Sequence, residues 1–195
     1  MKDLNIEKLV NKDNLLPNNY IPNNLIILDN NENNFHNYVD PTLKPMVRAD
    51  ILTDLLNMFE EAKNNGYHII VDSGYRSYSY QKDILDKKIK EVGEEKAYQI
   101  VAIPGSSEHQ TGLCIDIAYL YNKIYNDNVT ENDEEVKWLI ENCYKYGFIL
   151  RYPKGKEEIT GYIFEPWHYR YVGKKLAKTL HKNHETLEEY YQRNK

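Results

Sequence analysis

Cysteine is nearly absent from this 195-residue chain: Cys114 and Cys143 are the whole complement, and they form no CxxC pair. A disulfide scaffold and a cysteine-built zinc cluster are thereby excluded, because each needs several thiols at matched spacing. A surplus of positive charge is missing too. Lys and Arg number 25 against 30 Asp and Glu, giving a formal net charge of -5. That speaks against nucleic acid as a partner, since duplex binding relies on clustered cations. No stretch approaches the roughly 20 apolar residues that a membrane-spanning helix needs. The first ten residues, Met1 to Val10, carry acids where a signal peptide would hold an apolar run. The expectation is a soluble protein, cytoplasmic if the chain is complete and at the cell surface if an anchor precedes it.

What is present suffices for one core. The length suits a single domain, and 18 tyrosines supply large packing surfaces with a wet hydroxyl. Residues 1–45 are rich in Asn, Pro and Asp and read as an irregular arm laid on the domain, with Leu25 to Leu28 as an edge strand. From Arg48 to Asn65, Ile51, Leu52, Leu55, Leu56, Phe59 and Ala62 recur at helical spacing, and Gly66 stops the helix. His68 to Asp72 reads as a strand. A second helix, capped by Ser77 or Ser79, runs to Val92 and ends at Gly93. Leu113 to Tyr119 is strand-like. A third helix spans Asp133 to Tyr146, with Val136, Leu139, Ile140 and Cys143 inward. Phe148 to Tyr152 and Trp167 to Val172 are further strands, and helical tails follow Gly173 and Thr186. Strands and helices mix without a βαβ rhythm, so the fold class is α+β, a central antiparallel sheet flanked by helices.

Two stretches concentrate the chemistry: Ser107-Glu108-His109-Gln110-Thr111-Gly112-Leu113-Cys114-Ile115-Asp116, and Glu165-Pro166-Trp167-His168-Tyr169-Arg170. A catalytic zinc takes three N or O ligands and keeps one position open for water. The imidazoles of His109 and His168 with the Asp116 carboxylate meet that need. Glu165 lies three residues before His168, and Pro166 forbids a regular helix there, so a turn can aim the carboxylate at a water beside the metal. On residue chemistry alone, a metal centre and an ordinary pair of packed histidines remain equally open.

The pattern Ser107-x-His109-x6-Asp116 with Glu165-x-Trp167-His168 resembles the signature of the VanY/VanXY-type D-alanyl-D-alanine carboxypeptidases, in the group that includes lysostaphin-like enzymes and the hedgehog amino-terminal domain. Leu9 to Asn14, Ser73-Gly74-Tyr75-Arg76-Ser77, Tyr146 to Pro153 and Glu158-Ile159-Thr160-Gly161 are similar to the same enzymes, in the same order along nearly the whole chain. The resemblance implies Zn2+ as cofactor, His109, Asp116 and His168 as its ligands, and Glu165 as general base. It implies Arg76 as reader of the substrate's terminal carboxylate, with Ser107 and Gln81 assisting. The implied partner is a peptidoglycan stem peptide or precursor, cleaved as a D,D-carboxypeptidase. An L,D-carboxypeptidase trimming tetrapeptides is the alternative; a phage-type endopeptidase and a non-catalytic zinc-containing recognition module rank behind it. Cys114 departs from the Ala usual at that position, and is read as a small buried thiol. His181 and His184 read as solvated, His36 and His68 as lacking chemical company, and Glu185 to Arg193 as an exposed helix.

Overall fold

The computed structural model describes residues 5–28, 33–35 and 37–194. His36 lies outside them. A short ribbon comes first, β1 (Leu25–Ile27) paired antiparallel with β2 (Met46–Arg48). A 3-10 turn at Ala49–Ile51 leads into α1 (Leu52–Asn64), so the expected helix starts one turn late. Its face of Ile51, Leu55, Met58, Phe59 and Ala62 is fully buried, each of the larger side chains contributing about 1.5–3 kcal/mol.

Strand β3 (Ile69–Ser73) follows, then α2 (Tyr78–Val92), where the Ser77 hydroxyl caps the start of the helix by accepting from the Tyr80 amide. A further helix that the sequence pattern did not announce, α3 (Glu94–Ile100), buries Ala97 alone, too little for a periodic signal. Strand β4 (Cys114–Tyr121) and β5 (Ile124–Asn126) make a hairpin, then come α4 (Glu134–Asn142), β6 (Phe148–Leu150), α5 (Glu157–Thr160), β7 (His168–Tyr171), α6 (Lys174–Asn183) and α7 (Leu187–Arg193). The third helix ends earlier than expected, passing into a 3-10 turn at Cys143–Tyr146 before Gly147. Ile140 is a correction: it is 38% exposed. It stands about 100° around the helix from Leu139, off the stripe of Val136, Leu139 and Cys143.

The central sheet is antiparallel, in the order β3-β4-β7-β6, with β5 on the end of β4. Side chains alternate between its faces. Ile115, Ile117 and Tyr119 of β4, with Tyr169 and Tyr171 of β7, enter the main core beside Leu55, Phe59, Leu139 and Phe148. Cys114 and Asp116 therefore take the opposite face, as do His168 and Arg170. The register sets them side by side, Asp116 opposite His168 and Cys114 opposite Arg170. A second core cluster of Ile149, Val172, Leu176, Ala177, Leu180 and Leu187 seats the C-terminal helices. Helix α7 is thus not the exposed element expected: Leu187 and Glu188 are buried, because Glu188 is paired with an arginine from a distant segment. His68 packs edge-on against Tyr121, and His181 lies flat on Tyr144 with ring centroids 3.8 Å apart. Among the described residues no helix is long and apolar enough to cross a membrane.

Candidate active site

His109 sits in a 3-10 turn, Glu108–Thr111, that Gly112 closes at φ +67 before the chain enters β4. Its ring is oriented by a backbone carbonyl: Nδ1 lies 2.6 Å from Gly74 O. This leaves Nε2 facing Asp116 Oδ2 at 3.2 Å. Gly74 must be glycine for this arrangement, since a Cβ there would stand 2.1 Å from Met46 O. The β-bulge between Val71 and Ser73 delivers Gly74 and Arg76 to this edge of the sheet.

Opposite, the second stretch forms the expected turn. The His168 amide donates to Glu165 O at 3.3 Å, and the Glu165 amide donates to Tyr152 O at 3.1 Å. His168 Nδ1 lies 3.2 Å from Asp116 Oδ1 and 3.6 Å from Glu165 Oε2. The two imidazole rings meet edge to face, 4.9 Å apart. His109, Asp116, His168 and Glu165, four positions spread over 60 residues, thus converge at one point.

The electrostatics of that point favour a cation. Burial raises the Asp116 carboxyl, but the two histidines and Arg76 outweigh it and hold it well below the usual carboxylate range. Burial and Arg76 press the His109 imidazole down; Asp116 and Cys114 draw it up on balance. His168 is drawn well above its ordinary value against its own burial by Cys114, Asp116 and Glu108. Positive charge on the ring nitrogens, from a proton or a metal ion, is what this cluster stabilises. Burial pushes Glu165 up to about 7; His168 opposes and Asp116 adds to the rise. Buried atoms without hydrogen-bond partners include His109 Nε2 and Asp116 Oδ1. Lone pairs kept dry and unpaired in this way fit a metal ion.

Cys114 is wholly buried, and its thiol sits with both histidines in a group whose ligand atoms lie within 4.8 Å of one another. The two rings pull it down to about 7 in spite of burial. Asp116 shares its strand face and stands within 3.2 Å of a nitrogen of each ring, so two third donors are available, a carboxylate and a thiol.

The cluster opens on a small cleft of about 120 Å³. Arg76 lines it, donating Nη2 to Asp116 Oδ2 at 3.1 Å, with Nε buried and without a partner. Ser107 is buried at the cleft wall. Gln81 also lines the cleft: it is 2% exposed, and its Nε2 donates to Ala102 O at 2.9 Å. Tyr152 and Tyr162 roof the His168 side, their rings 4.9 Å apart. Neither tyrosine was singled out from the sequence, and neither were Glu108, Arg151 and Arg170, which form a buried ion network behind His168.

Residues 44–174 match the family model "VanY: D-alanyl-D-alanine carboxypeptidase". Among sequence relatives, YodJ of Bacillus subtilis (strain 168) is 47% identical over 189 residues, covering 97% of this chain and 68% of that protein. Among solved structures, the LdcB LD-carboxypeptidase is 45% identical at a TM-score of 0.79, covering 94% of this chain and 84% of that one. A mutant of the vancomycin-resistance D,D-pentapeptidase VanY from the VanB-type cassette, in complex with Zn(II), is 35% identical at a TM-score of 0.79, covering 95% and 98%.

Proposed function

The chain belongs to the VanY family of D-alanyl-D-alanine carboxypeptidases, and we propose that it is a zinc-dependent D,D-carboxypeptidase removing the terminal D-Ala from peptidoglycan stem peptides or precursors. The observation that carries this reading is the buried Glu165 carboxylate, 3.6 Å from His168 Nδ1 and beside the His109–Asp116–His168 cluster. His109, Asp116 and His168 would hold the zinc, one carboxylate and two neutral imidazoles, the donor set of a catalytic site. When bound, the ion supplies Lewis acidity toward the scissile carbonyl and a water molecule.

The chain's own residues do the rest. Glu165 takes a proton from the attacking water and returns it to the departing D-alanine amine. A carboxyl pushed up to about 7 is well matched to both transfers near neutral pH. Arg76 reads the free carboxylate of the substrate through its planar fork, which makes the enzyme an exopeptidase. Ser107 supports that end from the cleft wall, and Gln81 braces the segment at Ala102 against α2.

One finding favours a second reading. Likeness to the LdcB LD-carboxypeptidase admits an L,D-carboxypeptidase that trims tetrapeptide stems. Digesting a D-Ala-D-Ala pentapeptide and the corresponding tetrapeptide side by side, with mass detection, separates the two. Loss of one D-Ala from the pentapeptide alone supports the first reading; cleavage confined to the tetrapeptide replaces it with the second.

The choice of third ligand is tested by cobalt substitution. Asp116 as ligand predicts a Co(II) protein without a thiolate-to-metal charge-transfer band. Such a band, abolished by Cys114→Ala, would assign the ligand to Cys114 instead.

A further inference from the structure

Glu108 stands between Ser107 and His109, fully buried, and none of the roles above uses it. Its Oε1 accepts from Arg151 Nε at 2.9 Å and from Arg170 Nη1 at 2.8 Å. Both guanidiniums are themselves fixed. Arg151 grips Glu188 with Nη1 at 2.9 Å and Nη2 at 2.6 Å. Arg170 donates Nη2 to the carbonyls of Ile6 and Lys8 at 2.9 and 3.0 Å, and Nε to Tyr171 O. Two carboxylates thus balance two guanidiniums in a dry setting, where removing one partner leaves an uncompensated charge. Both guanidiniums hold the Glu108 carboxylate through the same oxygen. Its other oxygen, Oε2, is buried without a hydrogen-bond partner and points at His168 Nε2, 3.8 Å away, which is also buried without one.

We propose that Glu108 is the positioning residue for His168: the negative charge on Oε2, 3.8 Å from Nε2, favours the ring proton on that nitrogen and so presents Nδ1 toward Asp116 and Glu165 as the ligating nitrogen. This rests on the reading of His109, Asp116 and His168 as the zinc ligands. A neutral imidazole has one proton. With the Nδ1 lone pair given to a metal, that proton sits on Nε2, opposite Oε2. His109 is set the other way round, with Nδ1 held by Gly74 O and Nε2 toward Asp116. The two ligands are therefore fixed in opposite tautomers, one by a backbone carbonyl and one by an arginine-clamped carboxylate. A carboxylate behind a metal-bound histidine fixes ring orientation and raises ligand basicity. The Cys114 thiol is the other group grouped with this ring, so it enters the test.

The test uses the zinc-loaded full chain, with nitrogen-15 spectra of the imidazoles and zinc affinity from chelator competition. Wild type should show His168 protonated at Nε2 and His109 at Nδ1. Glu108→Gln should weaken zinc binding about 10–100-fold. Glu188→Gln, which disturbs the same network without facing His168, should lower Tm and leave zinc affinity unchanged. His168 protonated at Nδ1 in wild type overturns the proposal, and needs no variant to fold. So does a folded Glu108→Gln protein with unaltered zinc affinity, an equal loss in Glu188→Gln, or a loss found in Cys114→Ala instead. If wild type binds no zinc, or His168→Ala leaves zinc binding untouched, the reading of the site itself fails.

Discussion

Glu165 and Arg76 face one cleft, and substitution can tell their proposed duties apart. Glu165→Gln keeps the shape and removes the proton acceptor, so kcat/KM should fall about 10²–10⁴-fold while the protein still binds one zinc. Steady-state rates with metal analysis on the same sample check this. Arg76→Ala should instead erase the preference for a peptide with a free carboxylate over its C-terminal amide, the charge that its guanidinium is proposed to read. An undiminished preference would remove Arg76 from that role. The two cysteines also divide. Burial pushes the Cys143 thiol up to about 12. At pH 8 it holds about a thousandfold less thiolate than a free cysteine thiol, so alkylation in the folded state is slow and speeds up only on unfolding or at strongly alkaline pH. Mass spectrometry of the Cys114→Ala protein after timed alkylation measures this for Cys143 alone.

Elements position those residues through register, and this part was legible beforehand. The apolar alternation from Leu113 to Tyr119 identifies a strand whose Ile115 and Ile117 point one way. Asp116 must then point the other, toward whatever pairs with it. The pairing itself, Asp116 opposite His168, joins positions 52 apart and leaves no trace in local periodicity; only the resemblance to a known family brought them together. Ile140 shows the limit of periodicity from the other side. It fits the helical spacing, yet sits on the flank of α4. Ile140→Lys should therefore shift stability by less than about 0.5 kcal/mol, whereas Leu139→Ala should cost about 2–5 kcal/mol. Urea titrations of the two variants decide; equal losses would return Ile140 to the core.

On the scale of the whole molecule, the arm and the C-terminal helix are tied to the back of the active site. Arg170 holds the carbonyls of Ile6 and Lys8, Lys12 donates to Gly161 O, and Glu188 joins Arg151 to Asn11. Composition suggested only an irregular arm and a solvated helix. The ion pair between Arg151 and Glu188, 37 positions apart, and the hydrogen bond between Asn11 and Glu188, 177 apart, were invisible because a polar side chain alone does not reveal its partner. The tyrosines give a second global property. Burial and a neighbouring carboxylate hold the phenols of Tyr119, Tyr125 and Tyr171 above their ordinary 10.0, the partners being Asp133, Asp72 and Asp54. Unfolded, they ionise near 10; folded, they keep their protons. The unfolded state then binds fewer protons, and stability falls as pH rises beyond about 10. Thermal unfolding between pH 8 and 11 should show that decline, and a flat profile would contradict it.

The most direct test of the central claim is D-alanine release from a D-Ala-D-Ala pentapeptide stem by zinc-loaded wild type, chelator-treated wild type and zinc-loaded Glu165→Gln. The zinc reading predicts one D-alanine per peptide from the loaded enzyme, loss of release on chelation with recovery on adding zinc, and near-complete loss in Glu165→Gln although it retains its metal. Release that survives chelation, or a Glu165→Gln rate equal to wild type, would contradict it.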